Sequence, residues 1–302
     1  MAIIGAIGRF RTLPPKAFMV HNRLRLRSGG TVMTDFAGTR TLGRSGLVVG
    51  PLGVSGGYGA PAAAFEMAFE QGCTYFYHGS RRAPGMAAAF RTLGKGATRD
   101  KLVAVAQVYA RSTWYLRRSL LSFFKGTGLA YADVLLLGWH NRPPSPRFLD
   151  ACETLRREGL FRHLAISGHH RPLFPDLASD PRYGLFHLRY NAAHRGAETE
   201  VFPQLLADRP GIVVYTATRW GDLLNPKRMP EGSPTPRASD CYRFVLSNPS
   251  VDVCMTGPKT LEEMKEALTT LTRGPMTEDE LAWMHRVGEK VRGRTMPWVY
   301  GG

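Results

Sequence analysis

Eight short apolar runs, each breaking off into polar and often basic residues, recur along this chain of 302 residues, with helical periodicity between them. The first is Leu47-Val48-Val49-Gly50-Pro51-Leu52-Gly53-Val54-Ser55, with the glycine-rich exit Gly56-Gly57. The next four break off at Tyr77-His78-Gly79-Ser80-Arg81-Arg82, at Gln107, at Gly138-Trp139-His140-Asn141 and at Ser167-Gly168-His169-His170. The last three end in Arg189-Tyr190-Asn191, Tyr215-Thr216-Ala217-Thr218-Arg219-Trp220 and Thr256-Gly257-Pro258-Lys259. A strand that returns through a helix re-enters the sheet in the same direction, so regular alternation predicts parallel pairing. Eight such units predict an α/β chain closed as a (β/α)8 TIM barrel, a fold of roughly 250 residues whose sites gather at the C-terminal ends of its strands.

Helices are expected over 61–71, 85–93, 113–126, 145–159, 173–177, 199–207, 239–247 and 261–271, several of them ending at Gly. Residues 225–237 hold four prolines and predict an irregular loop after the seventh strand. A last helix over 277–292 has Thr277 as cap and Glu278, Asp279 and Glu280 at the positive end of its dipole. The organisation read from this is an N-terminal extension over 1–40 expected to be disordered, a barrel over 41–275, and a C-terminal helix and tail over 276–302. Met33-Thr34-Asp35 reads as a plausible true start of translation, which would leave 1–32 disordered or spurious.

Formal charge is +16, from 40 Lys and Arg against 24 Asp and Glu. Six cations and no acid fall in the first 32 positions, leaving about +10 that looks scattered rather than striped. A nucleic-acid reader would concentrate it on one element, so an anionic small molecule is the expected partner and nucleic acid is not. Cys73, Cys152, Cys241 and Cys254 show neither CxxC pairing nor zinc spacing and read as reduced packing residues of a cytoplasmic protein. No apolar run reaches the roughly 18 residues of a membrane span, so no membrane partner is expected. The sequence leaves the oligomeric state open.

From about Thr41 to Leu271 the chain resembles the aldo-keto reductase family. The likeness is carried by Thr41-Leu42-Gly43-Arg44-Ser45-Gly46-Leu47, by Gly72-Cys73-Thr74-Tyr75-Phe76 and by the stretch from Arg157 to Ser167. Tyr190-Asn191 with Arg195 and Glu198, and the turn Gly257-Pro258-Lys259-Thr260-Leu261-Glu262-Glu263-Met264, complete it. The resemblance implies a carbonyl reductase using NADPH and an Asp-Tyr-Lys-His tetrad, in which Tyr is the acid. No tetrad position is kept: Tyr77 falls at the Asp, Arg81 or Arg82 near the Tyr, Gln107 at the Lys and Gly138 at the His. Losing one member of a buried ion pair would strand a charge at about 3–5 kcal/mol, so replacement of both Asp and Lys by neutral groups is what stable divergence requires.

The cofactor side looks better preserved by the same resemblance. Tyr215 matches the aromatic under the nicotinamide ring, and Ser167 a carboxamide contact, with His187 at the expected Gln. Lys259, with Gly257 and Thr260 at a helix N-terminus, matches the cation for the nucleotide's phosphates. Glu266 matches a position that reaches adenine.

In place of the tetrad, His78 and His140 are the candidates for proton donor or carbonyl polariser, since imidazole titrates near neutral pH. Tyr77 stands beside them, and Arg81 or Arg82 can clamp an anionic substrate. No metal site is expected: adjacent His169 and His170 on an extended segment point apart, and carboxylates are scarce at the strand ends. Three readings stay open: an NADP(H)-dependent oxidoreductase with a non-standard acid, an inactive NADP(H)-binding regulatory protein, and a non-redox lyase or isomerase using the His/Arg cluster.

Overall fold

The computed structural model describes Phe36, residues 38–79 and residues 83–293. The eight parallel strands β3 (Leu52–Ser55), β4 (Tyr75–Tyr77), β5 (Val103–Val108), β6 (Ala132–Leu137), β7 (Phe161–Ser167), β8 (Tyr183–Arg189), β9 (Gly211–Tyr215) and β10 (Val253–Thr256) close into a barrel, β10 pairing with β3. A preceding antiparallel pair, β1 (Arg40–Thr41) and β2 (Val48–Val49), brings Leu42 and Val49 against the barrel interior. That approach is tight at Gly43, whose φ of +49° suits glycine and where a Cβ would lie 2.2 Å from the Gly211 amide nitrogen.

Period-two alternation sorts the strand residues into two cores. Tyr75, Val103, Val105, Val134, Leu136 and Val213 fill the barrel itself. Their neighbours Phe76, Ala104, Leu135 and Val214 face the helices, where Phe65, Phe90 and Phe174 meet them. Each large side chain buried this way contributes about 1.5–3 kcal/mol relative to exposure. All eight sequence-derived strands are present.

The outer layer is α1 (Ala62–Glu70), α2 (Pro84–Leu93), α3 (Gly96–Lys101), α4 (Thr113–Thr127), α5 (Pro146–Arg157), α6 (Leu173–Ala178), α7 (Ala197–Glu200), α8 (Ala238–Leu246) and α9 (Leu261–Arg273), followed by α10 (Glu278–Arg292). Two expectations are corrected. The helix over 199–207 is only the single turn α7 and a 3-10 turn Phe202–Gln204, because Pro203 has no N–H to continue an α-helix. Short α3, from Gly96 to Lys101, was not expected; it buries no side chain and so has no apolar stripe to read. Residues 225–237 hold only the 3-10 turn Pro226–Arg228.

Thr277 caps α10 in a capping box with Glu280, whose carboxylate also takes two bonds from buried Arg243 at 2.6 and 2.7 Å. The C-terminal helix thus belongs to the same unit as the barrel. Residues 1–35, most of the expected extension and its Met33 start, and the tail 294–302 lie outside the described residues; of the rest of the extension, Phe36 is buried in the core and Arg40 opens β1. The four cysteines are free and buried, and burial pushes the Cys73 and Cys152 thiols up to about 12, which leaves them unreactive. Among the described residues no helix is long and apolar enough to cross a membrane.

Candidate active site

The C-terminal ends of the strands surround one open cavity of about 1340 Å³. Drug-sized ligand sites occupy roughly 300–1,000 Å³, so this cavity is larger than one such ligand fills. Alternation decides which residues reach it. Tyr77, Gln107, Ser167, His187, Arg189 and Tyr215 continue the inward-facing rows and line it.

The tetrad positions are filled by a coupled neutral set. The Tyr77 hydroxyl donates to Gln107 Oε1, so an uncharged hydrogen bond stands where the resemblance implies an ion pair. Burial, with Tyr109 beside it, holds the Tyr77 phenol well above its ordinary value. A Cβ on Gly138 would lie 2.7 Å from Gln107 Nε2 and 2.8 Å from Tyr109 Cε1. The space that the family's histidine would need therefore belongs to the Tyr109 ring and the Gln107 amide.

The two candidate histidines are corrected. His78 follows inward-facing Tyr77 and so turns out between the helices, where its ring packs on Phe90 at 6.2 Å and Phe123 at 5.5 Å. Trp139 adopts a left-handed φ of +58°, and His140 after it is buried against Phe148 at 6.4 Å. Desolvation and nearby Arg111 push His140 down to about 4, and its Nε2 meets no hydrogen-bond partner. Neither ring lines the cavity. Arg81 and Arg82 lie outside the described residues.

The cofactor candidates fare differently. Ser167, His187, Tyr215, Gly257, Lys259 and Glu266 all border the cavity. Tyr215 donates to the Gly168 carbonyl at 3.2 Å and meets the His169 ring edge-on. His187 shares a 2.7 Å hydrogen bond with Tyr75, and burial pushes it down to about 3, so it is neutral. Two expected contacts are committed elsewhere. Thr260 does not line the cavity but caps α9, its Oγ1 accepting from Glu263 N at 3.1 Å. The Glu266 carboxylate receives the Ser239 hydroxyl at 2.7 Å and so anchors the start of α8.

Further lining residues escaped the sequence reading. Tyr58 and Tyr109, both about half exposed, flank Tyr77, and the Tyr58 ring sits 2.5 Å from where a Gly257 Cβ would be. Tyr109 was legible, since Val103, Val105, Gln107 and Tyr109 form one period-two row; Tyr58 follows a glycine-rich turn and gave no signal. Buried Thr256 borders the cavity with an unpartnered Oγ1. Trp220 lines it too, whereas Arg219 is fully buried beneath. Asn141 Oδ1 accepts from the His169 and His170 amides at 2.8 and 3.1 Å and braces the loop after β7. Among the described residues the four non-glycines at positive φ are Trp139, Thr216, Arg219 and Trp220, all on the loops after β6 and β9. Such strain, about 1–3 kcal/mol each, gathers at functional rims.

No family model and no curated protein matches the chain in sequence. Its structure is similar to the holo form of an aldo-keto reductase from Bacillus halodurans, with a TM-score of 0.69 and 19% identity over 83% of this chain and 96% of that one. The apo form of the same protein gives 0.67 with the same identity and coverage. A Pseudomonas aeruginosa protein assigned to the aldo-keto reductases gives 0.62 and 18% over 79% of this chain and 96% of that one. The chain therefore has the eight-stranded barrel fold of the aldo-keto reductases.

Proposed function

We propose that the chain is a divergent aldo-keto reductase that binds NADP(H) and reduces a carbonyl without the family's tetrad. One observation carries this reading: a single cavity brings Ser167, His187 and Tyr215 together with the Tyr77–Gln107 pair and Tyr109. The unpartnered Thr256 Oγ1 and His169 Nδ1 are polar atoms available to a ligand there, and Lys259 and Arg237 place two cations along the same wall. These residues fit a nicotinamide dinucleotide: Tyr215 under the nicotinamide, Ser167 and neutral His187 beside its carboxamide, Lys259 and Arg237 toward the phosphates.

When bound, that cofactor supplies the hydride. The chain's own part is to hold and polarise the carbonyl. Tyr109, seated in the space over Gly138, donates its hydroxyl to the carbonyl oxygen, and Tyr77, fixed by Gln107, sets the position of that ring. Tyr109 is 54% exposed, so water at the open mouth can restore its proton. An anionic substrate is accommodated by Arg189 on the same wall.

Quenching of tryptophan fluorescence by NADPH tests the pocket, and an NADPH-oxidation screen over aldehydes, ketones and keto acids tests turnover. Tyr109→Phe is expected to lower kcat by about 10²–10⁴-fold, the range for a positioned proton donor, with NADPH affinity unchanged. Equal turnover in the variant would refute the assignment.

A nucleotide-binding regulatory protein is the second reading, favoured because burial and its tyrosine neighbours hold the Tyr77 phenol up, with no ammonium among the described residues to lower it. NADPH binding without oxidation across the screen would select it. The lyase or isomerase reading has less support, because of the described histidines in its expected His/Arg cluster only His169 borders the cavity, while His78 and His140 do not.

A further inference from the structure

Where the β5–β6 ladder ends, a side chain takes over from strand pairing. Val108 and Leu137 are its last partners, and the Gly138 amide donates to the Val108 carbonyl at 2.8 Å. Tyr109 and Trp139 follow at once, each on a loop, and both line the cavity. Past that point Arg111 joins the two loops. Its Nη1 donates to the carbonyls of Tyr109 and Ala110 at 3.1 and 3.2 Å, and its Nη2 to those of Gly138 and Trp139 at 2.8 and 2.6 Å. One planar fork thus clips four carbonyls together, a span that the single ammonium of a lysine does not cover.

The clipped residues are the ones whose placement matters to the cavity. Trp139 holds its left-handed φ of +58°, which a non-glycine keeps only where its surroundings over-determine it. Its amide donates to Ser167 Oγ at 3.3 Å, and the following His140 amide to the Ser167 carbonyl at 2.7 Å. Ser167 therefore fixes one side of this turn and Arg111 the other. The Trp139 ring stands edge-on to Tyr109 at 5.9 Å and to His169 at 6.0 Å, and His169 stands edge-on to Tyr215 at 6.3 Å. A continuous series of rings thus runs from Tyr109, the proton donor of the proposed reaction, to the Tyr215 platform. Arg111 itself does not border the cavity, so any effect it has on a ligand passes through these rings.

We propose that Arg111 is a positioning residue, whose fork sets the Tyr109 hydroxyl and the Trp139 wall in register with the nicotinamide platform. The proposal rests on Tyr109 serving as the acid. The alternative is an arginine that ties down an exposed loop and acts on stability alone. The two differ in what a slack loop would do: a misplacement of about 1 Å can cost about 10²-fold in rate while the fold and the cofactor site stay intact.

The test compares Arg111→Ala and Arg111→Lys with wild type in the full chain. Removing the clip is expected to lower kcat about 10–100-fold, with NADPH affinity kept within about twofold. It should also remove the near-ultraviolet circular dichroism band that Tyr109 and Trp139 share, a band assigned by its loss in Trp139→Phe. Arg111 is exposed, so guanidinium ion, added well below denaturing concentrations, can enter the space left in Arg111→Ala and should restore part of both losses. Arg111→Lys should stay defective, because an ammonium does not hold all four carbonyls. If Arg111→Ala does not fold, Arg111→Lys carries the comparison. A variant with the wild-type band and kcat overturns the proposal. So does one that loses thermal midpoint, NADPH affinity and activity together with no response to guanidinium. If wild type oxidises no NADPH, the reductase reading fails, and the clip then stands or falls on the dichroism band and its restoration.

Discussion

Tyr77 and Gln107 can be turned back into an ion pair, and the cost of doing so one residue at a time measures how far the site commits to neutrality. Tyr77→Asp places a carboxylate opposite the Gln107 amide, and Gln107→Lys places an ammonium opposite a phenol; neither has a counter-charge at the other end of the bond the pair now makes. An uncompensated buried charge costs about 3–5 kcal/mol. Both residues are only half-buried and border an open cavity, so solvent screening brings the cost below that range, to about 2–3 kcal/mol for each single variant. The double variant should recover about 2 kcal/mol relative to the sum of the singles, read as the coupling energy of a double-mutant cycle in urea denaturation at neutral pH. The pH dependence gives an internal check. Desolvation raises the folded-state pKa of the new carboxyl above its unfolded value near 3.9, so its penalty is absent below that value and grows as pH rises toward neutrality. Single variants within about 0.5 kcal/mol of wild type, or a strictly additive double variant, would refute the argument that the pair had to become neutral together.

Gly138→Ala should disturb the same set from the other side. Its Cβ meets Gln107 Nε2 and Tyr109 Cε1 under 3.0 Å, so the Tyr109 ring must swing; about 1–3 kcal/mol in thermal unfolding and a drop in turnover are expected, with NADPH affinity kept. Acid should destabilise the fold early. His187 and His140 have folded-state pKa values pushed down to about 3 and about 4, so below about 6.5 the unfolded chain binds protons that the native chain refuses, and stability falls as pH drops from 6.5 toward 4. His187→Gln should flatten that slope in denaturation curves taken across the range. The rate of NADPH oxidation should be nearly constant from about pH 7 to 9, since the cavity histidines His169 and His187 are lowered and Tyr77 and Tyr215 are raised. A rate that tracks a group near pH 8 would point to a different acid.

The eight strands and most helices were legible because each carries its own periodicity, and the two failures, α3 and the segment broken at Pro203, are places where no periodic apolar face exists. That Ser167, His187 and Tyr215 face the cavity was legible for the same reason: they lie on inward rows whose phase the buried valines set. His78 and His140 misled because proximity in sequence to a site is not the same as facing it. Alternation alone places His78 opposite to Tyr77. For His140 the left-handed turn at Trp139 adds a step that no strand pattern contains.

The strained rim has a consequence for anyone who evolves this protein. Trp139 and Trp220 sit at φ values of +58° and +54° while exposing 64% and 57% of their surface, so they add little to folding and each holds about 1–2 kcal/mol of backbone strain. Glycine at either position would relax the chain at small loss of buried area. A library enriched only for heat resistance should therefore drift toward glycine there, and its winners would be sturdier proteins with a bare cavity edge. Selection for ligand retention would hold the tryptophans in place, and comparing the two enrichment outcomes would read out how much the rim matters to whatever the cavity receives.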